Sequence, residues 1–269
     1  MLRAIGIYRE FKLAGKPGPD QRILDLTAKE LEKKGFEVLT KKPEDFSEKE
    51  KADLIFTMAR GKEINEILMK KEKEGILVIN PPEAIRFSLD RKLIYQKMEE
   101  LGANLPETKF FKTKEITFSH LKGKSILKPA TRHEFWFIVE KEEDFHKAIS
   151  EYQKEGIEEI VVQEFINGKH LKYYLIDQEL ILPKNAKKEF SAKTIAEMKK
   201  QAFLISKITN LKIFGGDFII RDETPFLVDA NDWPSMSSIE GFTQKEAAFK
   251  IANLIEREFN AHREFQKEI

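Results

Sequence analysis

The sequence contains no cysteine, which excludes disulfides, thiolate nucleophiles and zinc–thiolate clusters together. It also lacks any apolar run approaching the ~20 residues of a membrane span. Its opening stretch, Leu2-Arg3-Ala4-Ile5-Gly6-Ile7-Tyr8, reads as a strand and not as the apolar core of a signal segment. A cytoplasmic protein without membrane contact is expected. Charge of one sign is missing as well: 47 basic and 46 acidic side chains leave +1, so no global field draws nucleic acid or an anionic surface. Any anion site must be local. The doublets Lys33-Lys34, Lys41-Lys42, Lys187-Lys188 and Lys199-Lys200 mostly have acidic neighbours and read as solvated surface. The histidines, at 120, 133, 146, 170 and 262, show neither metal-ligand spacing nor a Ser-His-Asp order, and read as surface or helix residues.

What is present is enough for a large core: 269 residues suit two or three compact lobes with clefts between them. Short apolar runs at 3–8, 36–40, 53–58 and 76–80 alternate with helical patterns, the layout of a parallel α/β sheet. One helix carries Leu24, Ala28 and Leu31 on one face and stops at Gly35; another carries Ile64, Ile67 and Leu68; a third is expected from Ser88 to Gly102. Strands at 108–112, 125–129, 135–139 and 159–165, with a helix presenting Phe145, Ala148, Ile149 and Tyr152, make a small α+β lobe. A hairpin around Asp177-Gln178, a helix over 194–208, a second hairpin and a last helix over Thr243–Arg257 complete a third. The capping box Thr243-Gln244-Lys245-Glu246 opens that helix. The expected class is α/β and α+β, with lobes at 1–85, 86–165 and 166–269.

The densest chemical signal is KIFGGDFIIRDETPFLVDAND at 212–232, two apolar strands around Asp222-Glu223-Thr224. A turn centred on Glu223 sets Asp217 directly opposite Asp229, and alternation puts Asn231 on the same face, with Ile219 and Leu227 as apolar neighbours. Two carboxylates about 5 Å apart in such surroundings call for a cation or a raised pKa. Oxygen ligands without imidazole or thiolate suit Mg²⁺, which usually shares its shell with water and nucleotide phosphates, and so point to ATP.

Two further segments fit a nucleotide. Ser125-Ile126-Leu127-Lys128-Pro129 ends an apolar strand on a lysine that a phosphate would partner, although a surface lysine reads the same way. Val161–Gly168 is an apolar strand whose exit, with Glu164, could meet a base and a ribose hydroxyl; a plain core strand fits equally.

The order Asp90-Arg91-Lys92, Leu127-Lys128-Pro129, Gln163-Glu164-Phe165-Ile166, Gly216-Asp217-Phe218-Ile219 and Val228-Asp229-Ala230-Asn231 resembles the ATP-grasp superfamily, closest to glutathione synthetase-like and RimK-type carboxylate–amine ligases. The resemblance extends over about residues 80–260, and Asn231-Asp232-Trp233-Pro234-Ser235 with the last helix is similar to the family's final stretch. It implies an N-terminal Rossmann-like substrate lobe and ATP clamped between two further lobes. Lys92 and Lys128 would lie on phosphates, Gln163, Glu164, Phe165 and Ile166 by the nucleoside, and Lys172 near the nucleotide and the reacting groups. Asp217, Asp229 and Asn231 would hold Mg²⁺, with two ions expected. The reaction it implies activates a small-molecule carboxylate as an acyl phosphate for attack by an amine. A kinase of the same fold and a nucleotide-binding protein without catalysis are the alternatives.

Glycine is absent where the family commonly has a glycine-rich phosphate loop: Lys128 is followed by Pro-Ala-Thr-Arg-His-Glu-Phe-Trp. Thr131, Arg132 and His133 are therefore expected to supply side-chain donors, Arg132 with a catalytic share, although a plain turn between two strands reads nearly as well. Asp229 stands where glutamate is more usual. On the substrate side, Arg60-Gly61 after strand 53–58 opens a helix and, with Arg86 and Asn80 nearby, could hold an anion. Asn185, beside Lys184 and Lys187, is the polar cluster of the short loop before the 194–208 helix; surface placement explains these residues as well. Trp136 is expected in the core, whereas for Trp233 cleft and core are equally supported.

Overall fold

The computed structural model describes residues 2–10, 18–131 and 136–267. Its first sheet is parallel, in the order β2-β1-β3-β4, from β1 (Leu2–Ile7), β2 (Phe36–Lys41), β3 (Leu54–Thr57) and β4 (Leu77–Ile79). α1 (Pro19–Lys33) buries Ile23, Leu24, Ala28 and Leu31 and stops at Gly35, whose φ of +89° suits a residue without Cβ. α2 (Lys62–Lys73) follows β3.

The helix expected over 88–102 is two helices. α3 (Pro82–Leu89) starts on a proline, and α4 (Arg91–Glu100) starts anew because Asp90 leaves helical geometry and accepts from Leu93 N at 3.0 Å. This break fixes which side of α4 meets the cleft below.

The central sheet is antiparallel, β5-β8-β6-β7, from β5 (Thr108–Lys112), β6 (Ser125–Pro129), β7 (Phe137–Val139) and β8 (Glu159–Glu164), covered by α5 (Glu142–Lys154). Leu127, Val139, Phe145, Tyr152 and Ile160 make a core of its own. The third sheet, β10-β9-β11-β12, is also antiparallel. It comprises β9 (Lys169–Ile176), β10 (Glu179–Ile181), β11 (Ile213–Arg221) and β12 (Thr224–Asp232). α6 (Ala186–Glu189) lies in the short loop after β10, and α7 (Ala192–Thr209) packs Met198, Ala202 and Ile205 with Phe214, Phe218 and Leu227.

Gly215 and Gly216 of β11 pair with Tyr174 and Tyr173. A Cβ on Gly215 would stand 2.6 Å from the Tyr174 ring and one on Gly216 2.0 Å from the Asp229 carbonyl oxygen, so the first glycine leaves room for an aromatic side chain and the second for the backbone of β12. The last helix, α8 (Gln244–Lys267), opens with the expected box, Thr243 N donating to Glu246 and Glu246 N to Thr243 Oγ1, but runs well past Arg257. It packs on α1 in a core that joins Ile23, Leu24 and Phe36 to Ile251, Ile255 and Phe259, and to Trp233 and Ile213 of the third lobe. Among the described residues no helix is long and apolar enough to cross a membrane.

Candidate functional site

The β11–β12 hairpin sets Asp217 opposite Asp229, as the alternation predicts, but by a different route. The turn is the two-residue Asp222-Glu223, both with positive φ (49° and 60°), which shifts the pairing by one against a turn centred on Glu223. A bulge between Asp217 and Phe218 leaves Val228 without a ladder partner and restores the opposition of the carboxylates. Leu227 consequently pairs with Phe218 and lies in the core, so the apolar neighbour of the carboxylate face is Ile219 alone of the expected two.

β9 completes a row. Lys172 pairs with Asp217 across the ladder, and its Nζ lies 2.9 Å from Asp217 Oδ1. His170, two residues earlier and so on the same face, brings Nε2 to 2.7 Å from the same oxygen. Burial works to raise the Asp217 pKa, but the His170 hydrogen bond and the Lys172 charge outweigh it and hold the carboxyl below its usual value. Asp229 Oδ2 accepts from Asn231 Nδ2 at 2.7 Å, and Arg91 stands 3.9 Å from Oδ1. Among the described residues no cluster of three or more His, Cys, Asp or Glu side chains is arranged to hold a metal. Two opposed carboxylates and one amide offer hard oxygen donors of the kind that Mg²⁺ takes alongside water and phosphate.

Facing this row across a cleft of about 530 Å³ is the central sheet. Ile126 and Lys128 of β6 turn toward the cleft while Leu127 turns into the central core. Lys128, 9% exposed, gives two N–H groups to neutral acceptors, Gln163 Oε1 and Val228 O, each at 2.9 Å. Burial pushes its ammonium down to about 8, with Arg91 adding to that and the Asp229 and Asp217 carboxylates opposing it.

The sequence-derived residues divide as follows. Glu164, Phe165 and Ile166 line the cleft where β8 ends, whereas Gln163 is fully buried and spent on Lys128, Tyr95 and Thr108. Lys92 places its ammonium 5.9 Å from the Phe110 ring centroid; the cation at the cleft is its neighbour Arg91, held by Pro129 O at 2.8 Å. Trp136 is 60% exposed at the cleft, because 136 and 138 face outward from edge strand β7 while Phe137 packs on Tyr152. Trp233 is fully buried against Phe56. Arg132 and His133 lie outside the described residues. His170 and Arg91 are the cleft residues that sequence reasoning missed. The period of two from Lys172 could have found His170.

Arg60, Arg86 and Thr131 meet in a second cavity, about 500 Å³, with Asp90 and Met69. Arg60 is not a free anion receptor there: its Nε lies 2.5 Å from Oδ1 of Asp232, which is 1% exposed. The N-terminus of α2 is likewise taken, with Arg60 N and Gly61 N donating to the Glu10 carboxylate at 3.0 and 2.6 Å. Arg86 pairs with Glu83. Asn80 joins β4 to β11 by donating to Ile213 O and accepting from Lys212 N and Ile213 N. Asn185 lines neither cavity and donates to Glu189.

A parallel α/β lobe followed by two antiparallel sheets closing on a charged cleft is a defined architecture. No family model and no curated protein matches the sequence, but solved structures match the fold. The D-alanine–D-alanine ligase of Bacillus anthracis matches with a TM-score of 0.75 and 16% identity over 98% of this chain and 99% of that one. The same enzyme complexed with ATP gives 0.74 and 18% over 98% and 99%. A RimK domain ATP-grasp protein from Sphaerobacter thermophilus gives 0.71 and 16% over 94% and 99%. The chain has the ATP-grasp fold.

Proposed function

We propose that the chain is an ATP- and Mg²⁺-dependent ligase that joins a small-molecule carboxylate to an amine. The observation that carries this reading is the gathering of Lys128 and Arg91 with the Asp217–Asp229 pair on the wall of one cleft, within a fold shared with D-alanine–D-alanine ligase. Asp217, Asp229 and Asn231 would hold the metal, whose charge would offset that of the phosphates. Lys128 and Arg91, the latter in the part expected of Lys92, would contact the phosphates. Ile126, Trp136, Ile138 and Phe165 give the cleft an apolar end suited to a base. Lys172 and His170 flank Asp217 where the reacting groups would meet.

The γ-phosphoryl group passes from ATP to the substrate carboxylate, releasing ADP. The amine nitrogen then attacks the acyl carbon, the phosphate leaves with its bonding pair, and the amine gives up a proton. No protein nucleophile is needed, since orientation and charge neutralisation do most of the catalysis. Cytoplasmic location and exclusively small-molecule substrates belong to the same reading.

Hydroxylamine tests it directly. With ATP, Mg²⁺ and pooled amino acids, dipeptides and hydroxy compounds, a ligase yields a hydroxamate along with ADP. ADP with a stable phosphate ester and no hydroxamate would identify a kinase instead; ATP binding without substrate-stimulated ADP release would leave a nucleotide-binding protein.

The Lys128 ammonium gives a second expectation. Phosphate prefers the charged form, so ATP affinity falls as pH rises through about 8. Folding stability has the opposite slope. Between about 8 and the ordinary lysine value the unfolded chain holds a proton that the folded one has released, so this residue's contribution to stability increases with pH. ATP titrations at pH 7 and 9.5 check it: affinity unchanged in the wild type but pH-dependent in Lys128→Met would overturn the assignment.

A further inference from the structure

Three buried side chains and one half-buried carbonyl close a ring of hydrogen bonds behind the cleft. Lys128 Nζ on β6 donates to Gln163 Oε1 on β8, and Gln163 Nε2 donates to the Tyr95 hydroxyl on α4, each at 2.9 Å. Tyr95 donates to Val228 O on β12 at 2.8 Å, and the same carbonyl accepts the second Lys128 N–H at 2.9 Å. Only one arrangement of protons satisfies this geometry. An ammonium cannot accept, so Gln163 must turn its oxygen to Lys128; its NH₂ is then left for Tyr95, whose single proton must go to Val228. The carbonyl is available because the bulge removes Val228 from the ladder register.

The ring ties together elements of different sheets and the helix that connects them. β6 and β8 belong to the central sheet, β12 to the third, and α4 to the connection between lobes. Tyr95 is 7% exposed and Gln163 fully buried, so neither bond competes with bulk water. Burial also raises the Tyr95 hydroxyl pKa, which keeps its proton in place. Both Lys128 acceptors are neutral, so no hydrogen-bonded partner cancels its charge, and one N–H remains on a side chain that lines the cleft. Val228 immediately precedes Asp229. One carbonyl thus fixes the lysine against the carboxylate row.

We propose that Tyr95 and Gln163 are positioning residues: through Val228 they hold the Lys128 ammonium at a set spacing from the Asp217–Asp229 pair. Gln163 acts in this way from the interior and not by touching the base. The proposal rests on the reading of the cleft as a Mg-ATP site.

Tyr95→Phe deletes one hydroxyl while keeping the ring and its packing. The Kd for Mg-ATP, followed by calorimetry or by the fluorescence of cleft residue Trp136, is expected to rise about five- to twentyfold. In a Lys128→Met background the same change should alter Kd less than about twofold, because the ring is already open. Gln163→Glu provides a readout that packing alone would not move. The new carboxylate accepts from Lys128 and draws the single Tyr95 proton away from Val228, so it opens the ring and cancels the charge offered to phosphate while preserving the side-chain volume. Mg-ATP affinity should fall about tenfold or more with the thermal midpoint held or raised. This variant decides the matter if Lys128→Met binds too weakly to titrate.

Equal losses from Tyr95→Phe in both backgrounds, an unaltered Kd in the wild-type background, or a Gln163→Glu protein of normal affinity would each overturn the proposal while leaving the Mg-ATP site in place. Failure of the wild-type chain to bind Mg-ATP would remove the site reading itself.

Discussion

Asp229→Asn should lower Mg²⁺-dependent ADP release by on the order of a hundred- to a thousandfold while leaving the fold intact. The side chain is half-buried, and asparagine can still accept the 2.7 Å hydrogen bond from Asn231, so little packing is lost. What disappears is one of two opposed negative charges. The other, on Asp217, is already shared by Lys172 at 2.9 Å and His170 at 2.7 Å. A single carboxylate with two cationic or polar partners is a poor ligand for a hard cation, and the amide that replaces Asp229 carries no compensating charge. A Mg²⁺ titration of ADP release, run beside a melting curve, checks this. Activity within tenfold of the wild type at saturating Mg²⁺, or a collapse of the melting temperature, would place the role of Asp229 elsewhere.

Arg60→Ala should have its largest effect on stability. Asp232 is 1% exposed, and neither of its oxygens accepts a hydrogen bond of good geometry among the described residues; its charge partner is the guanidinium 2.5 Å away. Burial pushes Arg60 below its usual pKa, with the Asp232 charge opposing, so the carboxylate helps to keep the guanidinium charged. Removing the arginine strands a carboxylate in the interior, a loss of roughly 3–5 kcal/mol, or a fall in Tm of roughly 10 °C for a chain of this size. The second substitution Asp232→Asn in that background should recover much of it, because it deletes the stranded charge. Urea and thermal unfolding of the two single variants and the double measure the cycle. A loss below about 1 kcal/mol for Arg60→Ala would show that water reaches Asp232. Any rise in substrate KM would be superimposed on this loss and is read after stability has been compared.

The opposition of Asp217 and Asp229 was reached through a turn the structure does not make, and holds because the bulge at Val228 offsets the shift; Asn231, two residues beyond Asp229 on one strand, and Lys128, at the end of an apolar strand, were legible directly. The side of Leu227 was not, since nothing local marks the bulge at Val228 that reverses it. The choice between Arg91 and Lys92 fails for a similar reason: one residue along a helix is a rotation of about 100°, and the start of α4 depends on the Asp90 cap. Trp136 looks like core in composition, yet it extends an edge strand on the side away from Tyr152. Arg60–Asp232 and the Tyr95–Gln163–Lys128 ring connect residues far apart in the chain and leave no local pattern at all. The strands of all three sheets were largely readable from apolar runs and alternation; what escaped was how the lobes engage one another.

The core that joins α8 to α1 concerns how this chain comes to be folded. Ile23, Leu24, Leu31 and Phe36 are covered in part by Ala248, Ile251, Ile255 and Phe259, more than two hundred residues later. During synthesis the first lobe therefore emerges with an uncovered apolar face and must keep it from other chains until residues 244–267 have been made. The central lobe, whose core is built from its own residues, has no such wait. The core of the central sheet is thus assembled locally in the middle of the chain, whereas the core shared by the first and third sheets is sealed only when two distant parts of the chain meet.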